Sequence, residues 1–164
     1  MRILKLLSST VVIATLSVFA PSVLAADGAV KVTSIAQTEI EVTDRKGKKT
    51  FKRTPVEKAV PGNEVIFTTT FENIIDQSAS DISINNPIPK DTEYKAGSAF
   101  GKDCEILFSV DGQTFAYAED LKIKNEDGKE RIALPKEYTH IRWNYKIPLA
   151  AGKSSEVGFR AIIK

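Results

Sequence analysis

The chain has 164 residues, 42% of them hydrophobic, with 23 Lys and Arg against 21 Asp and Glu, one His and one Cys. That length supports a domain with its own core. A nearly balanced charge provides no field for bulk nucleic-acid binding, and a lone Cys excludes an intramolecular disulfide.

Residues 1–25 read as a secretory signal peptide. Arg2 and Lys5 make a basic start, the run from Ile3 to Ala25 is apolar and free of acidic residues, and Val23-Leu24-Ala25 offers small residues to a peptidase. Val18-Phe19-Ala20 fits the same rule, but Pro21 would follow that cut and block it, so cleavage is expected after Ala25, or after Ala26. Ser8, Ser9 and Thr10 keep the apolar core short of the roughly 20 residues a membrane span needs. Without Arg2 and Lys5 the exported chain carries 21 basic and 21 acidic residues, and no later apolar run approaches membrane-spanning length. The expected address is the periplasm, the cell surface or the medium of a bacterium.

Beyond the cut, short strands follow one another. Val30 to Ala36 alternates, and Glu39 to Thr43 and Thr50 to Arg53 flank a turn at Gly47. Glu64 to Phe71 alternates Val65, Phe67, Thr69 and Phe71 against Ile66, Thr68 and Thr70, after the turn pair Pro61-Gly62. Asp81 to Ile84 is a short strand closed by Asn86-Pro87-Ile88-Pro89. Cys104 to Phe108 reads as a strand that continues through Val110 to Asp111-Gly112, a hairpin signal, with Thr114 to Tyr117 as its return. Leu121 to Lys124 and Arg131 to Leu134 make a further hairpin around Asp127-Gly128.

The clearest period-two segment runs from His140 to Ile147, with Ile141, Trp143, Tyr145 and Ile147 on one face and His140, Arg142, Asn144 and Lys146 on the other. Glu156 to Lys164 repeats it. Between them lies "LAAGKSS", Leu149 to Ser155, which contains the Gly-Lys-Ser end of a phosphate-binding loop. The first glycine of that loop is missing, since Ile147 stands there, and a strand follows where a helix must present its amides. The stretch is expected to connect two antiparallel strands. The expected core holds Val65, Phe67, Phe71, Ile82, Ile84, Phe108, Ile141, Trp143, Val157, Phe159 and Ile163. The fold class is all-β, an antiparallel sandwich, with residues 26–58 forming one compact domain with 59–164.

Three stretches, "AVPGNEVIFTTTFEN", "DISINNPIPKDTEYKAGSA" and "HIRWNYKIPLAAGKSSEVGFRAII", resemble the bacterial surface-repeat family known as domain of unknown function eleven. The matching positions are Pro61-Gly62, Asn73, Asn86-Pro87-Ile88-Pro89, Gly97, Trp143, Leu149 and Gly152, over about residues 60–163. Asn86 stands where the pattern usually has Asp, and residues 30–58 have no counterpart. The resemblance implies an immunoglobulin-like sandwich of cell-envelope or secreted proteins and implies no enzyme activity.

Candidates for chemistry are few. Catalysis by Cys104 and His140 in a cell-wall hydrolase needs the thiol and imidazole within hydrogen-bond reach. Register opposes this: His140 faces outward, whereas Cys104, two positions before Ile106, faces the core as an inert thiol. One His and one Cys leave a zinc site short of ligands. Asp76, Asp81, Glu119, Asp120, Glu126 and Asp127 lack the spacing of a calcium loop and read as solvated loop charges. The sharpest charge feature is Arg45, Lys46, Lys48, Lys49, Lys52 and Arg53 around Gly47, a hairpin suited to an anionic envelope component such as a lipid head group or an acidic glycan.

The expected function is therefore an exported, non-catalytic structural or binding module of the cell envelope, with no cofactor and a surface protein or glycan as partner. The alternative is a pilus or fibre subunit joined by strand exchange through Val30 to Thr43.

Overall fold

A computed structural model describes residues 29–58 and 60–164, so the segment expected to direct export lies outside the described residues. The described chain forms β1 (Val30–Thr43), β2 (Lys49–Pro55), β3 (Glu64–Asn73), β4 (Ser83–Pro87), β5 (Thr92–Tyr94), β6 (Phe100–Gly101), β7 (Cys104–Ser109), β8 (Lys122–Lys124), β9 (Glu130–Ile132), β10 (His140–Tyr145) and β11 (Ser154–Ile163), with one 3-10 turn at Pro135–Glu137. One sheet runs β2-β1-β3-β11-β5, with β6 also on β11; a second runs β4-β10-β7; β8 and β9 form a separate hairpin. The pairings are antiparallel. The fold is the expected all-β sandwich.

Period-two alternation aims one set of side chains from each sheet at the other. In the large sheet the inward set includes Phe71, Val157, Phe159 and Ala161, and in the small sheet Ile84, Ile141 and Trp143, all buried. Rings interlock across the gap: Trp143 lies 6.3 Å from Phe159, and Phe71 meets Tyr145 edge-on at 5.3 Å. At about 25 cal/mol per Å² of apolar area, each of the fully buried rings contributes several kcal/mol to folding. Tyr94, Phe108 and Tyr138 extend the aromatic layer. Of the expected core, Phe67 and Ile163 are only half-buried, and the rest is buried.

One polar bridge crosses this core. Asn86 on the small sheet donates its side-chain amide to Thr69 Oγ1 at 2.7 Å, and Thr69 shares a second bond of 2.8 Å with Ser34. An ionised Asp at position 86 could not donate that bond.

Several expectations need correction. Leu149 to Ser155 connects two strands as expected, but the two do not pair with each other. It carries the chain from β10 in the small sheet to β11 in the large one. Its path is set by Asn73, fully buried, whose side chain donates to Leu149 O at 2.7 Å and Gln77 O at 2.8 Å while accepting from Ile75 N–H at 3.1 Å. The return segment Thr114 to Tyr117 is not a strand. A single bridge, Phe108 to Ala116, replaces the ladder, and Asp111 closes the turn through its carboxylate. The segment runs beside the edge strand β7, and its side chains meet outward-facing groups of the small sheet: Phe115 receives Arg142 at 3.6 Å and Tyr117 donates to Glu105. Finally, Val30–Thr43 is one strand of 14 residues rather than two.

The outer face of the large sheet also carries a partial second layer. Ile66 points that way and is 1% exposed. The Phe100 ring stands on Gly158, where an added Cβ would meet Phe100 Cζ at 2.6 Å and Phe67 O at 2.4 Å, so any other residue would displace the ring or the strand.

Candidate functional site

The cationic residues singled out in the sequence lie on a ribbon that leaves the sandwich. β1 uses Val30 to Gln37 to pair with β3 and Gln37 to Thr43 to pair with β2, so beyond Gln37 the two strands β1 and β2 continue without the rest of the sheet. Six further cross-strand pairs extend about 20 Å at 3.4 Å per residue. Residues 40 to 53 are all exposed.

The turn at the tip is built by Asp44. Its Oδ1 accepts the N–H groups of Lys46 at 2.8 Å and Lys48 at 2.9 Å, and its own N–H reaches Lys48 O. Gly47 closes the turn at φ +79°, a conformation that side chains with a Cβ rarely adopt. The Asp44 carboxylate keeps its charge at the centre of the turn, where the sequence places three cations, Arg45, Lys46 and Lys48, around it.

Cross-strand register sorts the rest. Ile40 opposite Lys52 and Val42 opposite Thr50 share one face, the continuation of the sandwich's inward face past the end of the opposing sheet. Glu39 opposite Arg53 and Glu41 opposite Phe51 share the other. Lys49 pairs with Glu41 at 2.7 Å, and Arg53 approaches Glu39 at 3.5 Å with its guanidinium 5.7 Å from the Phe100 ring. Among the described residues, Arg45, Lys46, Lys48 and Lys52 make no ion pair. The six expected contact residues therefore divide: four face solvent without an ion-pair partner, while Lys49 and Arg53 help to hold the ribbon.

The root of the ribbon is clamped by groups that are remote in sequence. Arg160 on β11 binds both oxygens of Glu39 at 2.9 Å each and Glu64 at 2.6 Å, and Lys95 completes the chain on Glu64 at 2.5 Å. Arg160 holds the Glu39 carboxyl below its ordinary pKa, and Lys95, followed by Arg160, does the same to Glu64. These bidentate, charge-assisted bonds fix where the ribbon leaves the sheet. The opposition of Glu39 and Arg53 is readable from the hairpin register, but nothing near Glu39 in the sequence points to Arg160.

Cys104 and His140 do not meet. Cys104 pairs with Tyr145 at one end of β10 and His140 with Ser109 at the other, five residues or roughly 17 Å apart. The thiol is half-buried rather than sealed in the core, and burial, with Asp103 beside it, pushes its pKa up to about 11. His140 bonds Thr139 at 2.9 Å, and burial lowers its pKa. Val30 to Gln37, the first part of the segment considered for strand exchange, is engaged with β3 of its own chain.

No family model, curated protein or solved structure matches the chain.

Proposed function

We propose that the protein is an exported, non-catalytic, immunoglobulin-like module of the bacterial cell envelope that works by contact, with the β1–β2 ribbon as its contact element and an anionic envelope component as its partner. The observation that carries this reading is the set of four solvent-facing cations, Arg45, Lys46, Lys48 and Lys52, on a ribbon clamped at its root by Arg160. Exposed ion pairs lose most of their value to solvent, whereas unpaired cations on one projection create a local positive potential that attracts polyanions. A clamped root reduces the ordering cost of binding. The export pattern of residues 1–25 and the resemblance to surface repeats supply the compartment.

Reversal of charge by Lys46→Glu with Lys48→Glu tests it. Retention of the purified protein by isolated bacterial envelopes is expected to fall at least tenfold, and the wild-type retention to weaken as salt rises. Unchanged retention in the variant would overturn the reading. Assembly by strand exchange is disfavoured by the ladder that Val30 to Gln37 already makes, which a neighbour would have to break.

A further inference from the structure

We infer that the β1–β2 ribbon docks on the head-group layer of an anionic lipid bilayer, an inference that rests on the binding reading above and names its partner. Two properties of the ribbon converge on such a surface. Its four unpaired cations accompany exposed apolar side chains: on the face that carries Lys52, Ile40 is 45% exposed and Val42 38%. Interfacial binding strength is the sum of buried apolar area and attraction to anionic lipid, and a surface with only one of the two would satisfy the other set poorly. A soluble polyanion would leave Ile40 and Val42 in water. A second protein chain would gain little, since one face of the ribbon, roughly 20 Å by 10 Å, is far below the roughly 800 Å² per partner of a stable interface.

The backbone limits how deep the ribbon goes. Past Gln37, β1 has a partner on one edge only, and β2 is the outer strand of its sheet. Unpaired N–H and C=O groups do not tolerate hydrocarbon. The ribbon therefore rests among the head groups on the face that Ile40, Val42 and Lys52 share, with Lys and Arg reaching phosphates and Ile40 and Val42 entering the boundary of the acyl chains.

Each cation near such a surface is worth roughly a fivefold gain in partitioning, so four together give on the order of several hundredfold. The test uses protein recovered after export from the full-length gene. It is mixed with vesicles of phosphatidylcholine alone or with about a third phosphatidylglycerol, a composition that carries the surface charge the ribbon requires. Partitioning is read by sedimentation at low and high salt. The expected result is a strong preference for phosphatidylglycerol vesicles that salt abolishes. Replacing Arg45, Lys46, Lys48 and Lys52 by Gln should remove at least a hundredfold of that preference, with an unaltered circular dichroism spectrum. Ile40→Ser with Val42→Ser, which leaves every charge in place, should cost roughly tenfold and keep the salt dependence. Equal partitioning to both vesicle types, or no effect of either variant, overturns the inference. Salt-sensitive retention on immobilised dextran sulfate without vesicle binding overturns the bilayer as partner and leaves the anionic-partner reading standing; failure on both supports overturns both.

Discussion

In the sandwich body, Trp143, Phe71 and Phe159 are sealed between two sheets, whereas in the ribbon Ile40, Val42 and Phe51 meet solvent. Both regions are written in the same alternation. In the body, alternation buries one face and the hydrophobic effect does the rest. In the ribbon, it sorts side chains onto two wet faces, and an isolated two-stranded hairpin is marginal in water. Order there comes instead from Asp44 and Gly47 at the tip, cross-strand pairs along the length, and the Glu39–Arg160–Glu64–Lys95 chain at the root. The body is thus the source of stability and the ribbon is a projection supported by it.

If that division holds, substitutions in the body must dominate unfolding. Trp143→Ala should destabilise by about 3–5 kcal/mol, because it empties the centre of the core; urea denaturation measures this, and a loss below about 1 kcal/mol would break the comparison. Asn73→Ala comes next, at about 2–3 kcal/mol. It strands the carbonyl of Gln77 and the N–H of Ile75, leaves Leu149 O with the Ala79 N–H alone, and should loosen the crossing between the sheets in hydrogen exchange.

At the boundary between the regions, Arg160→Ala should cost only about 1 kcal/mol globally, since the cluster is partly exposed, yet speed amide exchange along the whole ribbon. The same clamp has a pH dependence of defined sign. Glu39 and Glu64 have folded pKa values below the ordinary 4.5, so their contribution is fully present above that value and fades as pH falls through the folded values. Amide protection in the ribbon should therefore be unchanged between pH 7 and 5 and fall only once the pH drops below the ordinary carboxylate value. In the body, Glu105, held to about 2 by Asn144, Tyr117 and Lys146, and Glu137, held to about 2 by Arg131, lose their contributions over the same descent but closer to pH 2. Ribbon protection that persists unaltered to pH 2 would contradict the clamp. The smallest effect belongs to Phe51→Ala, expected within about 0.5 kcal/mol of wild type because the ring is already solvated.

The same contrast explains what was legible beforehand. Burial writes itself locally, so the registers of β10 and β11, the inward place of Trp143 and the outward place of His140 could be read from alternation alone. Ile66 could not, because its outward position is buried only by groups arriving from elsewhere in the chain. Tyr94 and Tyr138 escaped because a three-residue strand and a 3-10 turn carry too little periodicity to reveal a face. Thr114 to Tyr117 looked like a strand because an Asp-Gly turn precedes it, but Phe115 and Tyr117 are held by side chains of the small sheet. For the ribbon, the six cations were visible as a cluster, whereas their division into four free and two engaged groups depends on Glu41, Glu39 and Phe100.

The most direct measurement removes the ribbon and keeps its root. Glu39 and Arg53 are cross-strand partners, so residues 40–52 can be replaced by Asn-Gly, a two-residue turn matched to strand twist, with the Arg160 clamp intact. Thermal unfolding and envelope retention of this variant are then compared with wild type. The division into supporting body and binding projection predicts a melting temperature within a few degrees and the loss of salt-sensitive retention. A body that no longer folds, or retention that survives the deletion, would contradict it.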